Sequence, residues 1–246
     1  MFFSRQQRRN PAYRQGFMEM LAVAPGIAAW GLMTGVAMAT SGMQTPEVLA
    51  MAILVFAGSS QLAAIPLLGA GAPLWVILAT AFCVNLRFVV FSAHLRSYVM
   101  HLPRRRRLFI AYFVADLTYV LFTKRYPVPG ATDAARAEQM AYLAGNATIN
   151  WLSWTVCSVL GVGLANYIAP SWGLGFAGVL ALTGILCSLA TSGMRALSAA
   201  LGAAVAIMAY ALPLKLNILV AIGVSVVLCL VLDSYLPPKE QKEQKA

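Results

Sequence analysis

Long apolar stretches, separated by short polar segments, run along nearly the whole chain. They fall at about residues 17–41, 47–69, 73–95, 108–123, 139–163, 172–191, 195–212 and 216–236. A helix needs about 20 apolar residues to cross the hydrocarbon core of a bilayer. The pattern therefore predicts an all-α, polytopic membrane protein with up to eight membrane segments.

The same pattern predicts the domain organisation. A single membrane domain extends over residues 17–236 and is followed by a polar tail at 237–246. The longest polar linker, residues 124–138, divides this domain into two halves of four segments each, 17–123 and 139–236. The segments leave no room for a soluble domain.

Composition and charge agree with a membrane protein. The chain is 60% hydrophobic and 11% charged, with a mean hydropathy of +0.75, whereas soluble domains are about 25% charged. The net charge is +10, and nine of the 18 basic residues lie within residues 1–16 and 96–107. Cytoplasmic loops collect Lys and Arg, so these positions indicate a cytoplasmic N-terminus and contact with a lipid bilayer rather than with nucleic acid.

The two basic segments also restrict the number of crossings. If all eight segments crossed, residues 1–16 and 96–107 would lie on opposite sides of the membrane, against the positive-inside rule. The weakest span is 47–69, which contains Pro66 and four small or polar residues at its centre: Gly58, Ser59, Ser60 and Gln61. We interpret it as two half-helices that enter and leave on one face, a geometry that survives only around a cavity or inside protein. The alternative is a full span with a mild kink.

The spacing of the segments favours an inverted repeat. The intervals between segment starts are similar in the two halves, and three crossings in the first half would start the second half on the opposite face. By the same symmetry, residues 172–191 are a second candidate for a re-entrant segment. We therefore predict six or seven full transmembrane helices plus re-entrant or broken helices.

Two charges, Arg87 and Asp116, lie in the middle of apolar segments, where each costs about 2.5–3.5 kcal/mol to insert. Both are equally far from the centre of the loop 96–107. If the segments on either side of this loop run antiparallel, equal sequence distance means equal depth, so the two charges are predicted to pair. The pair is either purely structural or part of a charge-sensitive site near the membrane midplane.

Further polar or helix-breaking residues lie within the apolar segments and are candidates for a substrate or ion pathway. On the fourth segment, helical spacing predicts one polar face that includes Asp116. Asn85 is predicted to serve a different partner from Arg87, because it lies about 200° round the helix. Pro25 and Gly26 are expected to interrupt the first segment. The candidates beyond the residues of the charge pair and the broken segment are Pro25, Gly26, Asn85, Tyr112, Tyr119, Asn146 and Asn150.

Signatures of enzymes, metal sites and cofactor sites are missing from the sequence. It contains no HExxH, GxSxG or P-loop motif, no CxxC, and no ligand spacing around its two histidines. We therefore expect a protein that is not an enzyme and that has no metal or other cofactor.

Several of these segments resemble the AzlC family over about residues 15–236. The resemblance rests on APGIAAWGLMTG around Pro25, on FAGSSQ at 56–61, on VNLR at 84–87 and on the acidic helix at Asp116. It implies the large subunit of a branched-chain amino-acid exporter of the bacterial inner membrane, driven by the proton gradient, with a small AzlD-type membrane subunit as partner. The family often has an Asp-Glu pair at the acidic motif, whereas this chain has Asp116 followed by Leu117.

The leading hypothesis is thus a proton-coupled exporter of small amino acids, with a small-molecule amino acid as its substrate. A structural or sensory membrane subunit without transport of its own is the alternative from a different class. A transporter of another small solute shares the same architecture.

Overall fold

The computed structural model describes residues 2–69, 71–167 and 193–212, together with 220–221, 223–225, 227–228 and 231. Within these ranges, every regular element is an α-helix. The helices are α1 (Arg5–Arg9), α2 (Pro11–Ala39), α3 (Thr45–Leu54), α4 (Gly58–Gly69), α5 (Leu74–Val99), α6 (Arg104–Phe113), α7 (Asp116–Arg125), α8 (Asp133–Leu164) and α9 (Gly193–Met208).

Three of the described helices, α2, α5 and α8, are long and apolar enough to cross a membrane. They contain 29, 26 and 32 residues, and at about 1.5 Å per residue each exceeds the ~30 Å hydrocarbon core. The predicted all-α fold is therefore confirmed in the described residues, and these three helices are consistent with the predicted membrane protein. The count of six or seven crossings stays a prediction, because residues 168–192, 213–219 and 232–246 lie outside the described ranges.

Helices α2 and α8 lie side by side and run in the same direction. Near their starts, Gly16 lies against the backbone of Tyr142, and further along, Gly35 lies against the backbone of Ser158. Small residues let the two backbones approach closely, as is typical of helix packing within membranes. The predicted inverted repeat required the second half to begin on the opposite face of the membrane from the first. Helix α8 begins at the same end of the bundle as α2, so the described residues do not have the arrangement of an inverted repeat.

Helix α5 runs opposite to α2 and brings the two basic segments together. Leu95 and Tyr98, near the end of α5, share a buried cluster with Phe2 and Ala12. The ring of Phe3 also packs edge-on against two rings of α6. Residues 2–14 and 96–107 therefore lie at one end of the bundle, which we call the basic end. The opposite end is the distal end.

The stretch 47–69 forms a hairpin of two half-helices, as predicted. Helix α3 begins at the distal end, where Val48 packs with Met38 of α2. Helix α4 turns back and leads into α5 through a tight turn at Gly71, whose φ of +64° favours glycine. At 10 and 12 residues, the half-helices reach only about 15 and 18 Å. The break lies at residues 55–57, just before the predicted Gly58–Gln61, which instead form the first turn of α4.

The stretch 108–123 forms a second hairpin, which corrects the prediction of one continuous helix antiparallel to α5. Phe91 stacks on Tyr119 at a centroid distance of 4.0 Å, and the Tyr98 hydroxyl donates to the Tyr126 carbonyl at 2.8 Å. These contacts advance in the same direction along α5 and α7, so α7 returns to the basic end. Helix α6 enters from that end, and the chain reverses at residues 114–115.

The root of this second hairpin is fixed at the basic end. The Tyr126 hydroxyl, beyond the end of α7, donates to Glu138 Oε1 at 3.0 Å. Burial, together with this hydrogen bond to Glu138, raises the pKa of Tyr126 to about 12.

Helix α2 is continuous through Pro25, so the predicted interruption at Pro25 and Gly26 is wrong. The helix begins at Pro11, and the preceding Asn10 caps it, because the Asn10 side chain accepts from the Ala12 amide at 3.0 Å. Pro25 removes one backbone donor from the helix, but Ala24 and Ile27 on either side of it are buried in one cluster with Ile149 and Trp154 of α8. The predicted re-entrant stretch 172–191 and the tail 237–246 lie outside the described residues.

Candidate functional site

The tips of the two hairpins meet at a cavity of about 60 Å³ in the middle of the bundle, which we call the central cavity. It is large enough to hold water molecules. Its other walls come from α2, α5 and α8. Arg87 lies 13 residues from the start of α5 and 12 from its end, so the cavity is near the middle of a membrane-spanning helix. The described lining residues are Val23, Gly26, Ile27, Trp30, Phe56, Ala57, Gly58, Ser59, Arg87, Phe88, Ala115, Asp116, Leu117, Asn150 and Trp154.

Arg87 connects the two hairpin tips. Its Nε atom lies 3.0 Å from Asp116 Oδ1, at the start of α7. Its Nη2 atom donates to Ser59 Oγ at 2.6 Å, in the first turn of α4. The two charged side chains are only 24% and 32% exposed, so the pair is shielded from bulk solvent, and the predicted pairing of Arg87 with Asp116 is observed.

Arg87 and Asp116 pair as predicted, but they do not lie on two continuous antiparallel helices. Helix α6 runs antiparallel to α5 and brings the chain back to the depth of Arg87, as equal sequence distance required. The chain then reverses at residues 114–115, so that Asp116 opens a new helix. A carboxylate in the first turn of a helix interacts favourably with the positive end of the helix dipole.

Both second half-helices, α4 and α7, direct their N-termini at the central cavity. Helix α4 begins at Gly58 and α7 at Asp116. In α7, Tyr119 is the residue whose amide donates to Ala115 O, at 2.9 Å, so the amides that precede it lack a partner within the helix. Paired half-helix N-termini are suited to a negatively charged group.

One wall of the cavity is aromatic and apolar. Trp30 of α2 and Trp154 of α8 pack edge to face with centroids 5.5 Å apart. Trp154 is 4% exposed, and its Nε1 atom has no hydrogen-bond partner among the described residues. Gly58 lies directly against the Trp154 ring. A small hydrophobic side chain would meet these surfaces rather than the charged pair.

The central cavity brings together about half of the residues that the sequence singled out. Those that line it are Gly26, Gly58, Ser59, Arg87, Asp116 and Asn150, whereas Pro25, Ser60, Gln61, Asn85, Tyr112, Tyr119 and Asn146 do not. Asn150 also ties α8 to the second hairpin, because its Nδ2 atom donates to Thr118 Oγ1 at 2.8 Å.

Several of the remaining candidates hold the hairpins in position. The side-chain nitrogen Nε2 of Gln61 donates to Met51 O at 2.8 Å and links α4 to α3. The Tyr112 hydroxyl donates to Ile53 O at 2.9 Å and links α6 to α3. Ser60 has a weaker contact with the backbone of α5, and Asn146 is fully buried in α8.

The predicted polar face of the fourth segment does not exist as one face, because the chain breaks at residues 114–115, between Tyr112 and Asp116. Tyr119 lies on α7 and pairs with His94 Nδ1 at 2.7 Å, away from the cavity. Asn85 lines a second cavity together with Ser92 and not with the charged pair. Asn85 thus faces a different cavity from Arg87, but its Oδ1 atom has no hydrogen-bond partner among the described residues, so the predicted partner of Asn85 stays a prediction.

A second partly buried carboxylate, Glu19, was missed by the sequence analysis. Glu19 on α2 accepts a short hydrogen bond from the Tyr142 hydroxyl of α8 and another from Gln15 Nε2 at 3.1 Å. The position of Glu19 inside the first apolar stretch, 17–41, was the sequence signal that could have identified it. In the described part of the chain, no group of three or more His, Cys, Asp or Glu side chains is arranged to hold a metal ion.

Comparison with known proteins gives one match. The family model described as AzlC protein matches residues 22–168, which include all of the described lining of the central cavity. No curated protein and no solved structure matches the chain. Because the matched region is more than half of the 246 residues, the chain belongs to the AzlC family.

Proposed function

We propose that this chain is a permease that exports small amino acids, in the first place valine, leucine and isoleucine, across the bacterial inner membrane. We further propose that export is coupled to protons, that a small AzlD-type subunit takes part, and that the N-terminus is cytoplasmic. The AzlC family and the apolar helices support a membrane protein with a role in transport. The proposal contains no enzymatic step.

The observation that carries the proposal is the meeting of two half-helix N-termini at a charged cavity in mid-bundle. A zwitterionic amino acid needs a positive environment for its carboxylate and an acceptor for its ammonium group. The N-termini of α4 and α7, with Arg87, offer the first. Asp116 offers the acceptor for the ammonium group. Alternatively, Asp116 carries the coupled proton when its carboxylate is released from Arg87. Ile27, Trp30 and Phe56 offer an apolar surface to an aliphatic side chain.

The test of this function is the amino-acid content of cells fed branched-chain dipeptides. Cells express this chain alone, the chain together with its small neighbour, or neither. We expect lower intracellular and higher extracellular valine, leucine or isoleucine only when both chains are present. No change in any amino acid, with the protein confirmed in the membrane, would reject this substrate class and lead to a screen of other small solutes.

The ion pair also favours a second candidate, a membrane subunit in which Arg87 only clamps the hairpins together. The swapped variant Arg87→Asp with Asp116→Arg separates the two. Recovery of both membrane insertion and export supports the clamp. Recovery of insertion without export supports a direct role of the pair in transport.

A further inference from the structure

A larger cavity of about 590 Å³ lies between α5 and α6, and we call it the α5–α6 groove. Its volume is within the range of about 300–1,000 Å³ that is usual for ligand sites. It extends from the basic end, at Arg104, to the hairpin tips, where it is bounded by Phe56 and Tyr112. The function proposed above assigns no role to it.

One end of the groove is strongly basic. Arg96 from α5 and Arg104 and Arg107 from α6 line it there, and none of the described lining residues is acidic. Arg107 Nη1 contacts the Met100 sulfur, but its Nε atom is buried and has no hydrogen-bond partner among the residues that the structure describes. A buried guanidinium nitrogen without a partner is costly unless an acceptor occupies the site.

The rest of the groove is mainly apolar and about as deep as one leaflet of a bilayer. On α6, the lining residues Arg104, Arg107, Leu108 and Ala111 follow one helical face, and Val114 lies just beyond the end of the helix. From Arg104 to the last residue of α6, Phe113, the helical rise is about 14 Å. Half of the ~30 Å hydrocarbon core has a similar length. Leu108 is 64% exposed, so the groove is open to the outside of the bundle rather than sealed within it.

We propose that the α5–α6 groove binds an anionic phospholipid from the leaflet at the basic end. The phosphate lies between the three arginines, because guanidinium groups match phosphate oxygens in geometry and charge. An acyl chain lies along the apolar face of α6. Basic pockets between membrane helices are typical binding sites for acidic headgroups. The proposal is independent of the transported substrate.

The chain provides a matched control for the charges. Arg105 and Arg106 lie on the same turn of α6 but line a different cavity, next to Phe2 and Phe3. The double variant Arg105→Gln with Arg106→Gln therefore removes the same net charge from the same helix as Arg104→Gln with Arg107→Gln. If charge near the membrane surface alone attracted lipid, both double variants would lose it equally.

The experiment measures lipid retained by the purified full-length chain. The protein is reconstituted in nanodiscs with phosphatidylglycerol or phosphatidylcholine of identical acyl chains, released into mild detergent, and analysed by native mass spectrometry. We expect phosphatidylglycerol to be retained in preference to phosphatidylcholine. Arg104→Gln with Arg107→Gln should lower its retention by about fivefold or more, while the control variant retains close to the wild-type amount.

A second variant tests the apolar part without changing charge. Ala111→Trp fills the groove and should lower the retention of phosphatidylglycerol by at least the same factor, with folding checked by size-exclusion chromatography. Equal retention of the two lipids, or equal loss in both double arginine variants, overturns the proposal. So does rapid reaction of a Ser92→Cys variant with a membrane-impermeant thiol reagent in lipid-filled nanodiscs, because it shows a water-filled vestibule instead of a lipid site.

Discussion

The two hairpins reach the same cavity from opposite ends of the bundle, but their tips have different chemistry. The α3–α4 tip, Ala57-Gly58-Ser59, is small and uncharged, and it supplies a hydroxyl and a close approach to Trp154. The α6–α7 tip supplies the carboxylate of Asp116. Arg87, on the membrane-spanning α5, contacts both. One hairpin shapes the cavity and the other provides its negative charge.

The largest effect is expected when the residue that joins the tips is removed. Arg87→Ala leaves Asp116 unpaired at mid-bundle and deprives Ser59 of its partner. Loss of one member of a buried ion pair costs about 3–5 kcal/mol, and the partial exposure of this pair suggests about 3 kcal/mol. Unfolding of the purified protein in detergent and its abundance in the membrane measure the effect.

The neutral double variant Arg87→Gln with Asp116→Asn is the control for this prediction. It removes both charges and should recover most of the stability without recovering transport. If Arg87→Ala is as stable as the wild type, the pair does not hold the hairpin tips together, and the central cavity must be held by the surrounding helices alone.

The first hairpin was predictable from the sequence and the second was not. Gly58, Ser59 and Pro66 mark the α3–α4 break, because glycine, serine and proline weaken a helix locally. Residues 112–117 contain no such signal. The chain reverses there because of contacts distant in sequence: Asp116 with Arg87, and Tyr112 with the backbone of α3. Such tertiary contacts override local propensity.

The site was predicted best where charge was the signal. A charge within an apolar stretch is rare and expensive, so Arg87 and Asp116 were recognisable from sequence alone. The aromatic wall at Trp30 and Trp154 was not, because tryptophans in a membrane segment do not indicate which face they occupy. The direction of α8 was also out of reach, since it depends on where the unrecognised second hairpin ends.

A smaller effect is expected from the hydroxyl of the uncharged tip. Ser59→Ala removes a hydrogen bond to a charged group, which contributes about 1.5–3 kcal/mol, so a loss of about 2 kcal/mol in unfolding free energy is expected. Ser60→Ala is the matched control, because the Ser60 hydroxyl has only a 3.4 Å contact with the Ala81 carbonyl. Equal losses in the two variants would contradict a specific role of Ser59 in positioning Arg87.

The next largest effect on stability is expected from the close packing of Gly58 at the same tip. Gly58→Ala introduces a methyl group against the Trp154 ring, and the ring must shift to accommodate it. Overpacking costs about 1–3 kcal/mol, and a value near 1.5 kcal/mol is expected here because a side chain rather than backbone moves. Gly69→Ala, at the other end of α4, meets no atom within 4 Å and should leave stability unchanged. Thermal unfolding of both variants measures the difference.

The smallest effect on stability is expected from the hydrogen bond that holds the charged tip against α8. Asn150→Ala removes the hydrogen bond to Thr118, and a neutral hydrogen bond contributes about 1 kcal/mol. A double-mutant cycle with Thr118→Val isolates this contribution, because the two losses should be less than additive by about that amount. Additive losses would show that the hydrogen bond between Asn150 and Thr118 does not hold α7 against α8. The charged tip would then be positioned by Arg87 and by the apolar packing of α7, whereas the uncharged tip is also fixed by the Gln61 side chain, which binds α3.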